Sequence, residues 1–364
     1  MSDWLRALAS LRERDAACVV VTIAAVKGSA PREAGTKMIV TADSIVGTIG
    51  GGHLEYKSIE FAREMLADDG AVPRRLHRFP LGAALGQCCG GVVTVLIEKA
   101  APERDSWVAS LIEHEAAGTA CVMASVADGG ATGKLVVDAE HVVGMLDDVA
   151  LNNVAQSAAR DMLASGERAP RLLVAPALDA SGATAPLLLL EPVLPIDFRI
   201  VVFGAGHVGR ALVAALSPLH AHIDWIDSRA DEFPTLVPGN VAIEVADTPE
   251  CVVDQARAGT CFLVLTHSHD LDFALTERIL RRADFSYLGL IGSTTKRNTF
   301  ERRLEQRGVS AALRERITCP IGIPGITGKE PAEIAVAVAA QLLQLRATTA
   351  SAARRSPRSA LRRA

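Results

Sequence analysis

Apolar positions recur along this chain first at a mixture of helical and alternating periods, then in a sharper strand–helix rhythm. Residues 1–15 alternate apolar and charged groups at helical spacing and predict an amphipathic helix. Residues 17–26 read as a strand, and 37–41 and 44–48 as a hairpin around Ala42-Asp43. Gly50–Gly52 interrupts the pattern, and 54–66 resumes at helical period. Strands are expected at 92–97, 120–125, 141–145 and 187–190, with a helix over 151–164. Two prolines in the stretch 191–195 predict a linker, and no internal repeat is visible.

From Arg199 onward, strands at 199–203, 223–226, 241–244, 261–265 and 287–291 alternate with helices at 208–216, 251–258, 271–282 and 294–306. Short runs of Val, Ile and Leu between helices imply a parallel sheet covered on both faces. The expected fold class is therefore α/β: an N-terminal mixed α/β domain followed by a Rossmann-type parallel-sheet domain. The boundaries expected are 1–190, a linker at 191–197, the Rossmann-type domain at 198–346 and a disordered tail at 347–364.

Composition narrows the class. The 364 residues suit two domains, and 29 glycines with only 4% aromatics suit an Ala/Val/Leu-rich α/β protein. A net charge of -4 gives no basic field for nucleic acid. The exception is the end of the chain, where Arg354, Arg355, Arg358, Arg362 and Arg363 stand without an acid among them and read as a solvated tail. Seven cysteines without a CxxC pair argue against a disulfide framework. No signal peptide and no long uncharged apolar run is visible, so a cytoplasmic protein that does not enter the membrane is expected.

The clearest motif is Gly204-Ala-Gly-His-Val-Gly209, placed after a strand and opening a helix. Gly204 permits the turn, Gly206 lets backbone approach a pyrophosphate, and Gly209 lets helix and strand pack closely. Asp227, at the end of the next strand, suits a ribose hydroxyl, while Arg229 suits a ribose phosphate, so the choice between NAD and NADP stays open. A Rossmann scaffold kept for architecture alone is the competing reading. Two more loops fall at the same sheet edge, Thr266-His-Ser-His-Asp270 and Gly292-Ser293. There His269, Asp270, Gly292 and Ser293 are candidates for cofactor contacts. His267, His269, Asp270 and Asp272 also have metal-ligand chemistry without a specific spacing, and Asp270 sits where a helix cap belongs.

In the first domain, Lys27, Ser29 and Arg32 lie on a glycine-containing loop, and Gly50, Gly51, Gly52 and His53 precede a helix. Consecutive glycine amides before a helix can form an anion-binding nest, though such loops also serve plain turns. Gly86-Gln-Cys88-Cys89-Gly-Gly91 sets two thiols among glycines, which suits either close approach of a bulky ligand or two small buried residues.

In order along the chain stand VKGSAPREAGTKM at 26–38, GTIGGGHLE at 47–55, GQCCGG at 86–91 and VVFGAGHVGRAL at 201–212. DSR at 227–229, THSHDLDFAL at 266–275, YLGLIGSTTKR at 287–297 and CPIGIPGITGKEPAEIA at 319–335 follow. This series resembles the XdhC/CoxI family, accessory proteins of xanthine dehydrogenase and related molybdenum hydroxylases, over about residues 5–346. The resemblance implies that the chain binds molybdenum cofactor (molybdopterin), protects it, supports its sulfuration by a cysteine desulfurase and passes it to the dehydrogenase's molybdenum subunit. It implies a cofactor-binding cysteine at Cys89, a candidate molybdenum ligand, with Cys88 as an extra neighbour. A homodimer is the default assembly. The chain departs from the family where PGITGK replaces an acidic-Ile-Gly segment. Set against this chaperone without turnover of its own are an NAD(P)-dependent oxidoreductase and a non-catalytic scaffold between desulfurase and dehydrogenase.

Overall fold

The computed structural model describes residues 2–68, 70, 72–82, 90–100, 106–128, 133–175 and 185–354. The chain divides into two compact units, 1–195 and 196–364.

The first unit runs α1 (Asp3–Glu13), β1 (Cys18–Lys27), β2 (Lys37–Val40), β3 (Ile45–Gly47), α2 (Gly52–Ala67), β4 (Arg74–Pro80) and β5 (Val92–Ala100). It continues with α3 (Ser106–Ala117), β6 (Cys121–Val126), β7 (Lys134–Val137), β8 (Val142–Met145), α4 (Val149–Ser165), β9 (Arg171–Val174) and β10 (Leu187–Val193). These are two copies of one pattern: a helix, three strands, a helix and two strands. The sheets they form, β3-β2-β1-β5-β4 and β8-β7-β6-β10-β9, have the same order, and their strand pairs are antiparallel. An internal duplication that the residues conceal is thus plain in the topology.

Each copy has its own apolar core under its second helix. Leu54, Ala62 and Met65 of α2 pack on the first sheet as Leu151, Ala159 and Met162 of α4 pack on the second. The first helices, α1 and α3, share a third cluster in which Leu5, Leu8, Val108 and Leu111 meet Val20, Ile39, Met123 and Val136 from both sheets.

Charge is buried between the copies in a reciprocal arrangement. Lys37, opening β2, donates to Glu191 of β10, and Lys134, opening β7, donates to Glu98 of β5 at 2.6 Å. Each lysine also faces the tryptophan of its own copy's first helix, with Lys37 Nζ 5.3 Å from the Trp4 ring centre and Lys134 Nζ 5.0 Å from that of Trp107. Arg74 completes the second pair, donating to Glu98 Oε1 from Nε at 2.6 Å and to the Val126 carbonyl at 3.2 Å. All these charged side chains are buried.

Glu191–Val193 therefore belongs to a strand and not to the linker expected there. Beyond Leu190, β10 pairs with β6 alone, so Pro192 occupies an edge where no ladder N–H is required. The polar strand β4 and the short strands β7 and β9 also escape the sequence pattern.

The second unit contains β11 (Arg199–Phe203), α5 (His207–Leu216), β12 (His222–Asp227), β13 (Val241–Val245), α6 (Glu250–Gln255) and β14 (Cys261–Val264). Then come α7 (His269–Arg282), β15 (Tyr287–Leu290), α8 (Thr294–Gln306), α9 (Ala311–Arg314), β16 (Ile317–Thr318) and α10 (Pro331–Arg354). Its six strands, in the order β13-β12-β11-β14-β15-β16, are parallel, which is a Rossmann sheet. Ile200 and Val202 face α5 and α10, while Val201 and Phe203 face α7 and α8, so the central strand β11 is apolar on both sides. Where a tail was expected from residue 347, α10 runs on through an Ala-rich stretch to Arg354; residues 355–364 lie outside the described set. Among the described residues no helix is long and apolar enough to cross a membrane.

The buried clasp makes a prediction. Burial pushes the Glu98 carboxyl up, but Lys134 and Arg74 outweigh it and hold it below the usual carboxylate range. The stability this adds is complete above the ordinary carboxylate value and is lost as pH falls through the lowered one. Glu98→Ala strands two buried cations and is expected to cost about 3–5 kcal/mol at neutral pH. Urea denaturation followed by circular dichroism checks both the cost and the missing acid dependence.

Candidate functional site

Three loops of the first copy meet at one end of its sheet. The loop after β1 carries Gly28, Ser29, Pro31 and Arg32; the turn before α2 carries Gly50–Gly52; and Gly90-Gly91 leads into β5. Their approach is close enough to exclude side chains. A Cβ on Gly91 would lie 2.2 Å from the Ser29 carbonyl oxygen, and one on Gly50 would lie 2.8 Å from the Pro31 ring. The Gly91 N–H donates to Ser29 O at 3.1 Å, and Gly50 holds φ at +120°. The glycines of three separate sequence segments are thus explained by one junction.

The exposed surface around the junction carries Lys27 and Arg32 together with Glu33. Lys27, Ser29, Arg32 and His53 are exposed, and neither Lys27 nor Arg32 has an ion-pair partner among the described residues. No described atom lies within 4 Å of a Cβ built on Gly51 or Gly90. Tyr56, 63% exposed, stands beside His53 with ring centres 6.3 Å apart.

The glycine turn is not a wholly free anion nest. Glu55 Oε2 accepts the N–H groups of Ile49 at 2.9 Å and Gly51 at 3.1 Å, together with the Thr48 hydroxyl, so a carboxylate of the chain already fills part of it. Sequence reading missed Glu55, which stands four residues after Gly51, one beyond the position of a capping box.

The second copy supplies an internal comparison. Asn152 replaces Glu55, its Oδ1 accepting from Leu146 N at 2.8 Å. Asp148 replaces Gly51 as N-cap of the helix and accepts from Leu151 N at 2.9 Å. The second copy therefore closes its helix start with a side chain. The first leaves a bare glycine there, with open space beside it.

Cys88 and Cys89, with Gly86, lie outside the described residues. In the sequence they directly precede Gly90 and Gly91. Of the other cysteines, Cys18, Cys121, Cys261 and Cys319 are buried. Burial pushes the Cys18 thiol up to about 11, despite Arg12, and those of Cys121 and Cys261 to about 12, which makes them poor thiolates.

In the second unit, the carboxyl ends of the strands gather the remaining candidates. Gly204 and Gly209 are required by packing: their Cβ atoms would lie 2.2 Å from Leu265 O and 2.0 Å from Gly204 O. Asp227 is buried and points into the turn, accepting the Ala205 N–H at 2.7 Å and binding Arg229 through both carboxylate oxygens. Burial raises its carboxyl, but the bonds from the Arg229 side chain and from the Ala205 and Arg229 N–H groups outweigh that and bring it to about 2. The expected ribose contact of Asp227 is therefore pre-empted by Arg229.

The loop after β14 forms a different structure from either reading of its sequence. Ser268, not Asp270, caps α7, its hydroxyl accepting from Leu271 N at 3.3 Å. Asp270 is 89% exposed and faces Arg303 at 3.6 Å. Asp272 is buried between the Thr266 hydroxyl and Lys296 Nζ, both at hydrogen-bond distance, and His269 packs edge-on against Phe300. These contacts separate the residues that a metal would have to unite, and among the described residues no His, Cys, Asp and Glu cluster is arranged to hold a metal ion. Ser293 caps α8, accepting from Lys296 N at 3.3 Å, and Gly292 holds φ at +159° at the end of β15.

Comparison with known proteins agrees with this architecture. A model of the XdhC Rossmann domain matches residues 200–342, and a model of the XdhC and CoxI family matches residues 11–80. A 149-residue stretch is 28% identical to the uncharacterized protein YqeB of Escherichia coli (strain K12), covering 41% of this chain and 27% of that protein. The match thus spans about a quarter of that relative's length. The fold is similar to the crystal structure of a xanthine dehydrogenase from Bacillus halodurans, with a TM-score of 0.70, 22% identity and 96% of each chain covered.

Two predictions test this geometry. Gly91→Ala forces a clash with Ser29 O and should cost about 1–3 kcal/mol, while Gly90→Ala should stay within about 0.5 kcal/mol of wild type. Paired thermal melts decide between them. The Asp227 contribution to stability is complete above its ordinary value of 3.8 and lost as pH falls toward about 2. An Asp227→Asn variant, less stable at neutral pH, should lose less on acidification across that window.

Proposed function

The chain belongs to the XdhC and CoxI family, and from that premise we propose that it is an accessory protein of xanthine dehydrogenase or a related molybdenum hydroxylase that carries molybdenum cofactor. In this reading it shields the cofactor, supports its sulfuration by a cysteine desulfurase and delivers it to the molybdenum subunit. It works in the cytoplasm, as a homodimer, without a turnover of its own.

One observation carries the reading: the two copies in the first unit share a scaffold, yet the N-cap of the second helix is an acid in one copy and a glycine in the other. Gly51 stands where Asp148 caps α4, and Lys27 and Arg32, without an ion-pair partner among the described residues, border the same junction. An open glycine surface beside uncompensated positive charge suits a ligand with a phosphate and a flat, bulky body. Molybdenum cofactor supplies that phosphate and pterin, together with a metal that accepts thiolate.

The residues have separable tasks. Lys27 and Arg32 would meet the phosphate as charge-assisted donors. Gly51 and Gly90 leave room for the ring system. Cys89, with Cys88 beside it, would offer the soft ligand, in keeping with a thiol flanked by glycines one residue before Gly90. Glu55 holds the turn in shape from within. The pre-empted Asp227 weighs against an oxidoreductase that reads the NAD ribose in the usual way.

Molybdopterin content after co-expression in a cofactor-producing host tests this. Wild type should copurify with pterin, and Cys89→Ala and the double variant Lys27→Ala/Arg32→Ala should each lose about tenfold or more, the scale of a lost charged contact. Equal pterin in all three proteins would remove these residues from the site. No pterin in wild type would favour a scaffold that only bridges desulfurase and dehydrogenase.

A further inference from the structure

The Rossmann unit contains a charge arrangement that the cofactor reading leaves unused. Two of the three glycines in the turn 204–209 are demanded by packing, as their virtual Cβ contacts show. Gly206 is not. Its φ of -69° is open to any residue, and no described atom lies within 4 Å of a Cβ placed there. The space it leaves adjoins the first turn of α5, where a parallel sheet of this order receives a pyrophosphate.

Asp227 decides what such a ligand can carry at its ribose. A carboxylate offers about four lone-pair positions. Here Oδ1 accepts from Arg229 N–H at 3.0 Å and Arg229 Nε at 2.9 Å, and Oδ2 accepts from Ala205 N–H at 2.7 Å and Arg229 Nη2 at 2.8 Å. The acid is saturated, so a ribose diol finds no acceptor unless Arg229 leaves.

Positive charge stands in its place. Arg229 Nη1 reaches Glu232 Oε1 at 3.1 Å, and Arg210 of α5 reaches Glu232 Oε2 at 2.7 Å. Their side chains are 37% and 46% exposed. Two guanidinium groups therefore share one surface carboxylate at the ribose end of the turn. A phosphate presents more acceptor oxygens than Glu232 and suits Nη1 of Arg229 and Nη2 of Arg210, so it can take Glu232's place.

We propose that the Rossmann unit binds a dinucleotide whose adenosine ribose bears a phosphate, of the NADP class, that Arg229 and Arg210 read this phosphate, and that the unphosphorylated dinucleotide is disfavoured. The proposal is independent of the molybdenum cofactor reading, because it concerns residues of the second unit alone.

Titration calorimetry on the full chain with NADP+ and NAD+ tests it. NADP+ is expected to bind about tenfold or more tightly than NAD+, as loss of one charged contact set requires. Arg210→Ala should weaken NADP+ by a similar factor and leave NAD+ unchanged, and Glu232→Gln should tighten NADP+. Because Arg229→Ala uncovers a buried carboxylate, Gly206→Ala serves as the second probe: it should keep the wild-type melting temperature and lose NADP+ affinity. Equal or preferred NAD+ binding, absence of NADP+ binding by the folded wild type, or full NADP+ affinity in both Arg210→Ala and Gly206→Ala would overturn the assignment.

Discussion

The crossed pairing of Lys37 with Glu191 and of Lys134 with Glu98 fixes the first unit more narrowly than its apolar packing does. Apolar cores tolerate exchange of volume and small shifts of packing. Buried charges do not, since each lysine removed from its carboxylate is left in a medium that solvates it poorly. Each pair also joins opposite copies: the lysine opens a strand of one sheet, and the glutamate comes from the other. Slippage of either copy would separate both pairs together. The tryptophans of α1 and α3, facing the two lysines, extend this constraint to the first helix of each copy.

A duplicated scaffold under that constraint is free to differ at its loop ends. Ile49 and Leu146 both give their N–H to a side chain reaching back from the helix, but the acceptor is the carboxylate of Glu55 in one copy and the amide of Asn152 in the other. An uncharged acceptor therefore suffices to hold the turn. The charge at Glu55, the glycine at 51, and Lys27 and Arg32, unpaired among the described residues, are additions that the scaffold does not demand. Their concentration in one copy marks what that copy adds to the shared architecture.

Much of the second unit was legible in the residues, because parallel strands buried on both faces appear as continuous apolar runs and the glycine turn follows one of them directly. The first unit was less so. Its duplication is carried by a few equivalent residues, Lys37 and Lys134, Glu98 and Glu191, Gly47 and Gly144, scattered among positions that need only be apolar. Strand β4 sets Leu76 and Phe79 among three arginines and a histidine, and its Arg74 is understandable only beside Glu98, which lies on the neighbouring strand. The proline-containing end of β10 looked like a linker because pairing on one side only cannot be seen in a sequence. At the site, the glycines stood out in the sequence, but which were needed by the fold and which leave space depended on distances.

That distinction applies equally to both units. Gly91 and Gly209 touch carbonyl oxygens of the chain itself, so their lack of a side chain is settled internally. Gly51 adopts φ +73°, which glycine tolerates best, and Gly206 adopts an ordinary φ, yet both border unfilled space. Of the two, Gly206 is the more telling, since backbone geometry gives no reason for glycine there. A side chain at either place would occupy volume next to exposed cations, Lys27 and Arg32 in one unit and Arg210 and Arg229 in the other. The two units, unrelated in topology, thus share one physical design: backbone kept bare beside positive charge, with a carboxylate of the chain, Glu55 or Glu232, engaged at its margin.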